Sequence, residues 1–238
     1  EHGYRADPTL EEIAARFELC TGGKWADFMA LQGIDTLAQM RPGGRLDERG
    51  GCVERNTAKI LMWQDILTGL FDRNIEGLHA DEHYESLAAT LADAATRNGP
   101  YNELMRFNFH VADVLSVKSE LGLRLTAAYR HRATLLLEEY ADDILPDLYE
   151  RVEALRRAHK SLWYATYKSL GWDTMDLRYG ALLMRIQTAI EQVEAYLAGD
   201  RTALSDLDEP RLLYDGLSGV PCVNSYGRIV SPSRFTHV

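Results

Sequence analysis

The chain has 238 residues, 46% of them apolar, and a formal net charge of −10. That length suits one large domain or two small ones, and that apolar share lets a sizeable core form without disulfide or metal staples. The basic residues are scattered among acidic ones and make no stripe to displace counterions from phosphates, which argues against a nucleic-acid partner. No run of about 18 consecutive apolar residues is present, so no membrane span is expected. Cys20, Cys52 and Cys222 are odd in number and far apart. They suit neither a disulfide framework nor a zinc ribbon and fit a reducing compartment, so the expected location is the cytoplasm. The opening Glu1-His2-Gly3-Tyr4 has no initiator Met and no apolar signal region, as expected of a piece of a longer protein.

Helix signals dominate in chain order. Thr9 with Glu12 has the spacing of a capping box, Leu10, Ile13, Ala14 and Phe17 share a face, and Gly22-Gly23 stops that helix. A short helix is expected from Lys24 to Leu31. Residues 41–52 hold Pro42, Gly43, Gly44, Gly50 and Gly51 among charges and read as a loop. The stretch Ile60 to Asp72 is too apolar for a surface helix and reads as a buried segment, helical or extended, tied down by a few polar groups. Asp81 to Asn98 reads as an Ala-rich helix capped by Asp81 and closed by Gly99-Pro100. Leu104, Phe107, Val111, Val114, Leu115 and Lys118 recur at steps of three and four, an amphipathic helix. Gly122 interrupts it, and a further helix is expected from Leu123 to Tyr140. Pro146 opens another, with Leu148, Val152, Leu155 and Leu162 inward, ended by Gly171. Leu182, Ile186, Ala189, Ile190, Val193 and Leu197 form the last long stripe, and a short strand is expected at Arg228-Ile229-Val230. The fold class is therefore all-α, an irregular bundle of antiparallel helices with an extended C-terminal tail. Its expected parts are N-terminal helices and a glycine-rich loop over 1–52, a helical bundle over 53–220 and the tail over 221–238.

Several patterns resemble chemistry. His79-Ala80-Asp81-Glu82-His83 matches the inverted zinc-peptidase motif, which needs both imidazoles on one helical face. With Asp81 as the cap, His79 falls outside the helix, and two exposed histidines at a helix start are the favoured reading. Asp47-Glu48, Asp81-Glu82 and Asp208-Glu209 are adjacent carboxylates, but none follows an apolar strand, where a barrel enzyme places its acid. Thr21-Gly22-Gly23-Lys24 lacks the first glycine of a phosphate loop and reads as a helix C-cap before a new helix. Trp163, Tyr164, Tyr167 and Trp172 suit a sugar platform or, more commonly, core packing. Asp65, Asp72, Asp176 and Arg178 are charges set in apolar surroundings. At least one of these carboxylates is expected to pair with Arg178 or with a nearby backbone donor.

Taken in order, several segments resemble the region after the barrel in one bacterial branch of glycoside hydrolase family 20. They are Phe17-Glu18-Leu19-Cys20-Thr21-Gly22, Leu61-Met62-Trp63-Gln64-Asp65 through Phe71-Asp72, Lys118 through Tyr129, Leu162-Trp163 through Lys168, and Gly171-Trp172. Asp176-Leu177-Arg178-Tyr179-Gly180-Ala181-Leu182, Leu197-Ala198-Gly199-Asp200 and the acidic region from Leu204 to Glu209 follow. The chain departs from the pattern at Trp63, where tyrosine is commoner, and at Ser169-Leu170. The resemblance implies a C-terminal accessory helical domain of a β-N-acetylhexosaminidase, packing on the catalytic barrel and joining subunits as a homodimer. Such enzymes remove terminal N-acetylhexosamine from glycans; the substrate's own acetamido oxygen attacks, with an Asp-Glu pair that lies in the barrel. No catalytic residue, metal site or cofactor is therefore expected in this chain. Trp63, Asp65, Asp72, Asp176, Arg178 and Tyr179 are the expected interface or substrate-proximal residues. The alternative is a free-standing helical interaction module without sugar chemistry.

Overall fold

The computed structural model describes residues 7–36 and 57–211. The expected glycine-rich loop at 41–52, the tail from 221 and its strand at 228–230 lie outside the described residues. Among the described residues all regular structure is helical, and no helix is long and apolar enough to cross a membrane.

Local signals set the N-terminal helices. Helix α1 (Leu10–Thr21) starts at the Thr9 capping box, where the Glu12 amide donates to Thr9 Oγ1 at 3.2 Å and the Thr9 amide to the Glu12 carboxylate at 2.9 Å. It ends at Gly22, whose φ of 72° closes the helix in the left-handed conformation, and Lys24 opens α2 (Trp25–Ala30). A 3-10 turn, Leu31–Ile34, follows. α1 buries none of its residues. α2 is fastened to the bundle through Asp27, which is 3% exposed. Arg97 grips that carboxylate with two bonds of 2.8 and 2.5 Å, and Asn98 Nδ2 adds a third at 2.7 Å. A planar guanidinium fork satisfies a buried carboxylate better than a point charge can.

The bundle is built from α5 (Ala80–Arg97), α6 (Asn102–Lys118), α9 (Leu145–Thr166) and α10 (Trp172–Leu197), each packed antiparallel on the next. Apolar residues at three- and four-residue steps face inward: Tyr84, Leu87 and Leu91 on α5; Val111, Val114 and Leu115 on α6; Leu148, Val152 and Leu155 on α9; Leu182, Ile186, Ala189 and Val193 on α10. Shorter helices α3 (Thr57–Trp63), α4 (Asp72–Ile75), α7 (Leu121–Arg130), α8 (Thr134–Glu139) and α11 (Ser205–Asp208) close its flank and ends.

Five boundaries differ from expectation. The break expected at Gly122 falls at 119–120, and Gly122 lies buried inside α7. α5 is capped by His79 in the left-handed region (φ 52°), and its Ala80 amide donates to Glu120 at 2.8 Å, so the distant Glu120 does the capping expected of Asp81. The helix expected over 123–140 is broken at Arg132 (φ 53°), a turn that no glycine or proline marks. Pro146 does not open a separate helix, because α8 runs into α9 through a π turn, Tyr140–Ile144. Pro146 has no N–H to donate, and the widened turn lies where its ring would crowd the preceding carbonyls. α10 begins at Trp172, ten residues before the recognised stripe.

Between α3 and α4 the chain leaves helical geometry while buried, and side chains take over its hydrogen bonding. Lys118 Nζ donates to the Leu61 and Gln64 carbonyls at 2.8 and 2.7 Å. Asp65 Oδ1 accepts from the Leu67 and Thr68 amides at 2.8 and 3.0 Å, and Gln64 Oε1 from the Phe71 amide at 3.1 Å. Arg211 donates to the Leu67 and Thr68 carbonyls at 2.5 and 3.0 Å. Buried backbone groups need such partners, and here four side chains supply them.

Asp72 fits only because two neighbours lack Cβ. A Cβ on Gly69 (φ 53°) would lie 2.0 Å from Asp72 Oδ2, and one on Gly122 would lie 2.6 Å from it and 3.0 Å from the Ile66 carbonyl. Gly180, in α10, has open space around its missing Cβ. Gly122→Ala should therefore destabilise the fold by about 1–3 kcal/mol through overpacking. Gly180→Ala should stabilise it by roughly 0.5–1 kcal/mol through helix propensity. Urea denaturation measures both, and equal effects of the two substitutions would contradict the packing of Asp72.

Candidate functional site

The six residues singled out from the sequence fall in three places. Asp65 and Asp72 lie in a buried charge centre between α3, α6, α7 and α10. Trp63, Arg178 and Tyr179 line a cleft of 340 Å³ between α3, α6, α9 and α10. Asp176 sits apart on α10, 2.8 Å from the Arg156 guanidinium of α9.

In the charge centre, Asp65 binds the Arg185 guanidinium, with Nη2 3.3 Å from Oδ1. Arg211 Nε lies 3.2 Å from Asp72 Oδ2, out of line for a hydrogen bond, and neither Asp72 oxygen has a hydrogen-bond partner among the described residues. The expected pairing of these carboxylates is present through the backbone amides at Asp65 and through other arginines. Arg178 is not the partner of any of the three. The reason is register: Arg178 and Arg185 are two turns apart on one face of α10, about 10 Å along its axis, and Arg185 is the one level with Asp65. Burial opposes ionisation of Asp65, but the bonds from Arg185, Thr68 and Leu67 outweigh it and hold its pKa below the ordinary range. Asp72 is held by Arg211 alone, and burial pushes it up to about 6 against the pull of Arg211 and Lys118. Burial likewise draws Lys118 down to about 7 against the pull of Asp65 and Asp72.

Lys118, Arg185 and Arg211 were missed as members of this centre. Lys118 carried a signal, because it occupies an apolar register position of α6, where a cation is costly unless partnered. Arg185 and Arg211 carried none, being single arginines 120 and 146 positions from Asp65.

The cleft is floored by Met62, Trp63, Phe107 and Leu155, and Asp35, Lys59 and Arg178 line it with charge. The Trp63 and Tyr179 rings meet edge to face with centroids 5.2 Å apart. Tyr179, 2% exposed, has its hydroxyl 3.0 Å from His159 Nδ1. Burial lowers the His159 pKa to about 4, so the imidazole is neutral at physiological pH. Asp35 accepts a bond from the Ala58 amide at 3.1 Å, and burial raises its pKa against that bond. Lys59 is lowered by burial first and then by the Arg178 guanidinium. Arg178 Nε is buried without a hydrogen-bond partner among the described residues.

His79 is exposed outside the helix, and His83, expected to be exposed as well, is half-buried with Nε2 2.7 Å from the Gly33 carbonyl. Among the described residues no group of three or more His, Cys, Asp or Glu is placed to hold a metal ion. Asp81 pairs with Arg124 of α7, Asp208-Glu209 ends α11, and Asp47-Glu48 lies outside the described residues. Of the aromatic run, Trp172 is core at 3% exposure, Trp163 packs beside it, and Tyr164 and Tyr167 are exposed.

The charge centre makes stability depend on pH in a specific direction. The folded pKa of Asp72 lies above its ordinary 3.8. Its contribution to stability is therefore fully present below 3.8 and lost as pH rises through about 6. Asp72→Asn removes that dependence. The stability of the native chain minus that of Asp72→Asn should fall by about 3 kcal/mol between pH 4 and pH 7, at about 1.4 kcal/mol per pH unit of separation. Urea titrations of both proteins across that range measure it, and a difference that rises with pH would reverse the assignment.

Comparison with known families gives a match to the Glycoside Hydrolase 20C C-terminal domain over residues 26–224. Comparison with curated proteins gave no match. The family match spans α2 through α11 and hence both the charge centre and the cleft. This chain belongs to the family of glycoside hydrolase 20C C-terminal domains.

Proposed function

We propose that this chain is the accessory helical domain of a β-N-acetylhexosaminidase, packed on the catalytic barrel of its parent chain and inactive by itself. The family match over residues 26–224 carries the reading, since a C-terminal domain of a glycoside hydrolase implies a parent glycoside hydrolase. The carboxylates support it: Asp27, Asp65, Asp81, Asp113 and Asp176 are each engaged by an arginine, and Asp35, which lines the cleft, is bonded to a backbone amide. A glycosidase acid and its partner need to face a substrate instead.

In this reading Trp63 and Arg178, half-buried at the cleft, belong to the surface turned toward the barrel. Asp65, Asp72 and Tyr179 are buried and hold that surface in shape, and Asp176 ties α10 to α9. Tyr164, Tyr167 and Leu170, 50%, 68% and 88% exposed, lie along the end of α9 and the connection to α10 and are suited to a second subunit. Terminal N-acetylhexosamine residues reach the domain only through the parent enzyme, and no cofactor is called for. The cytoplasmic assignment rests on three scattered cysteines, of which Cys20 is free and exposed.

Purified alone, the chain should release no aglycone from an aryl N-acetyl-β-glucosaminide, while a chain that joins it to its barrel should do so. Turnover by the isolated chain that scales with its concentration through successive purification steps would contradict the reading.

A further inference from the structure

We propose that the apolar face of α1, with the groove between α1 and α2, is the surface on which the catalytic domain of the parent chain docks. The occupant is named on the parent-enzyme reading above. The first observation is a helix whose apolar face is left open. The capping box and the left-handed Gly22 close both ends of α1 with local bonds, and Leu10, Ile13, Phe17 and Cys20 recur along one face. A helix of 12 residues is marginal in water, and most helical stability in a protein comes from packing an apolar face. Yet α1 buries none of its residues, and Leu10 and Ile13 are 67% and 41% exposed. Phe17 meets the Trp25 and Phe28 rings of α2 edge to face, with centroids 5.4 and 4.8 Å apart. Beside that contact Pro8, Ile13, Cys20 and Trp25 help line a groove of 310 Å³. Exposed apolar side chains gathered in this way mark interaction surfaces.

The second observation is that α1 is held firmly although it covers nothing. The Trp25 amide donates to the Glu18 carboxylate at 3.0 Å, and the Lys24 amide to Asn98 Oδ1 at 2.7 Å. Asp27, one turn on, is gripped by Arg97 and Asn98. A Cβ on Gly23, between the two helices, would lie 2.8 Å from the Phe28 ring. The open face is presented in one orientation, and a preorganised surface loses little entropy when it is covered. The third observation is position in the chain. The family match begins at Ala26. α1 precedes it and stands on the side of the domain that leads toward the catalytic domain of the parent. From α2 the 3-10 turn leads on to the cleft, whose lining includes Ile34 and Asp35. One face of α1, about 18 Å by 10 Å, offers roughly 200 Å², far less than the about 800 Å² per partner of a stable dimer. A domain in the same chain needs less area, because the connection holds it at a high effective concentration.

Cys20 lines the groove, exposed and free, and reports whether it is covered. Its alkylation by iodoacetamide, followed by mass spectrometry of the peptide that carries it, is compared in the 238-residue chain and in a chain that joins it to its barrel. Cys20 should react at least about tenfold more slowly in the joined chain, as expected of a docked face open less than about a tenth of the time. Leu10→Gln combined with Ile13→Gln should speed that reaction in the joined chain. The same pair should leave the urea midpoint of the 238-residue chain unchanged, because both side chains are exposed there. Equal Cys20 rates in the two proteins would overturn the proposal. So would a rate in the 238-residue chain that falls as its concentration rises, since a second copy would then be the cover. Hexosaminidase activity of the joined chain is measured in parallel. Protection of Cys20 without that activity would support the docking surface and count against the hexosaminidase reading, and activity without protection would do the reverse.

Discussion

Lys118 Nζ sits at the centre of the domain, fully enclosed, with the Leu61 and Gln64 carbonyls as its acceptors. Those bonds join the end of α6 to the point where α3 gives up helical geometry. Everything that follows α3 depends on that turn being held: Asp65 caps its next two amides, Gln64 reaches the Phe71 amide, and Arg211 crosses from the far end of the domain to its last carbonyls. An apolar residue in place of Lys118 would leave two buried carbonyls without donors and two acidic groups with less counter-charge, each of which costs free energy in a low-dielectric interior.

The same centre explains features that look unrelated along the chain. Gly69 and Gly122 are glycine because the Asp72 carboxylate lies between them. α10 is fixed in register by Arg185 meeting Asp65, and that register sets Arg178 two turns away, in the wall of the cleft. The charge centre therefore fixes which residues α10 presents to the cleft. Trp63, the last residue of α3, is delivered to the cleft by the turn that Lys118 holds.

Much of the fold is legible in the sequence because helices advertise themselves locally. The capping box at Thr9 and Glu12, the glycine at position 22 and the stripes of α6, α9 and α10 each depend on residues within a few turns of one another. The misplaced boundaries have long-range or non-standard causes. Glu120 caps α5 from 40 residues away, Arg132 turns the chain without glycine, and Pro146 is accommodated by a π turn. The candidate site was half legible. Isolated charges at Asp65 and Asp72 did mark a buried polar centre, and Lys118 stood in an apolar stripe. Which arginine meets which carboxylate depends on how α10 slides against α3, and no local pattern encodes that. Asp35, Lys59 and His159 gave no sign of sharing a cleft, since they come from three separate parts of the chain.

Replacement of Lys118 by methionine tests the central claim most directly, because methionine matches its length and keeps the apolar packing of the stem. Urea denaturation of Lys118→Met, followed by far-UV circular dichroism, should show a loss of about 3–5 kcal/mol, the cost of breaking a buried charged network by removing one member. A loss within about 0.5 kcal/mol, the range of ordinary surface substitutions, would show that the turn after α3 holds without Lys118 and would contradict this account of the domain.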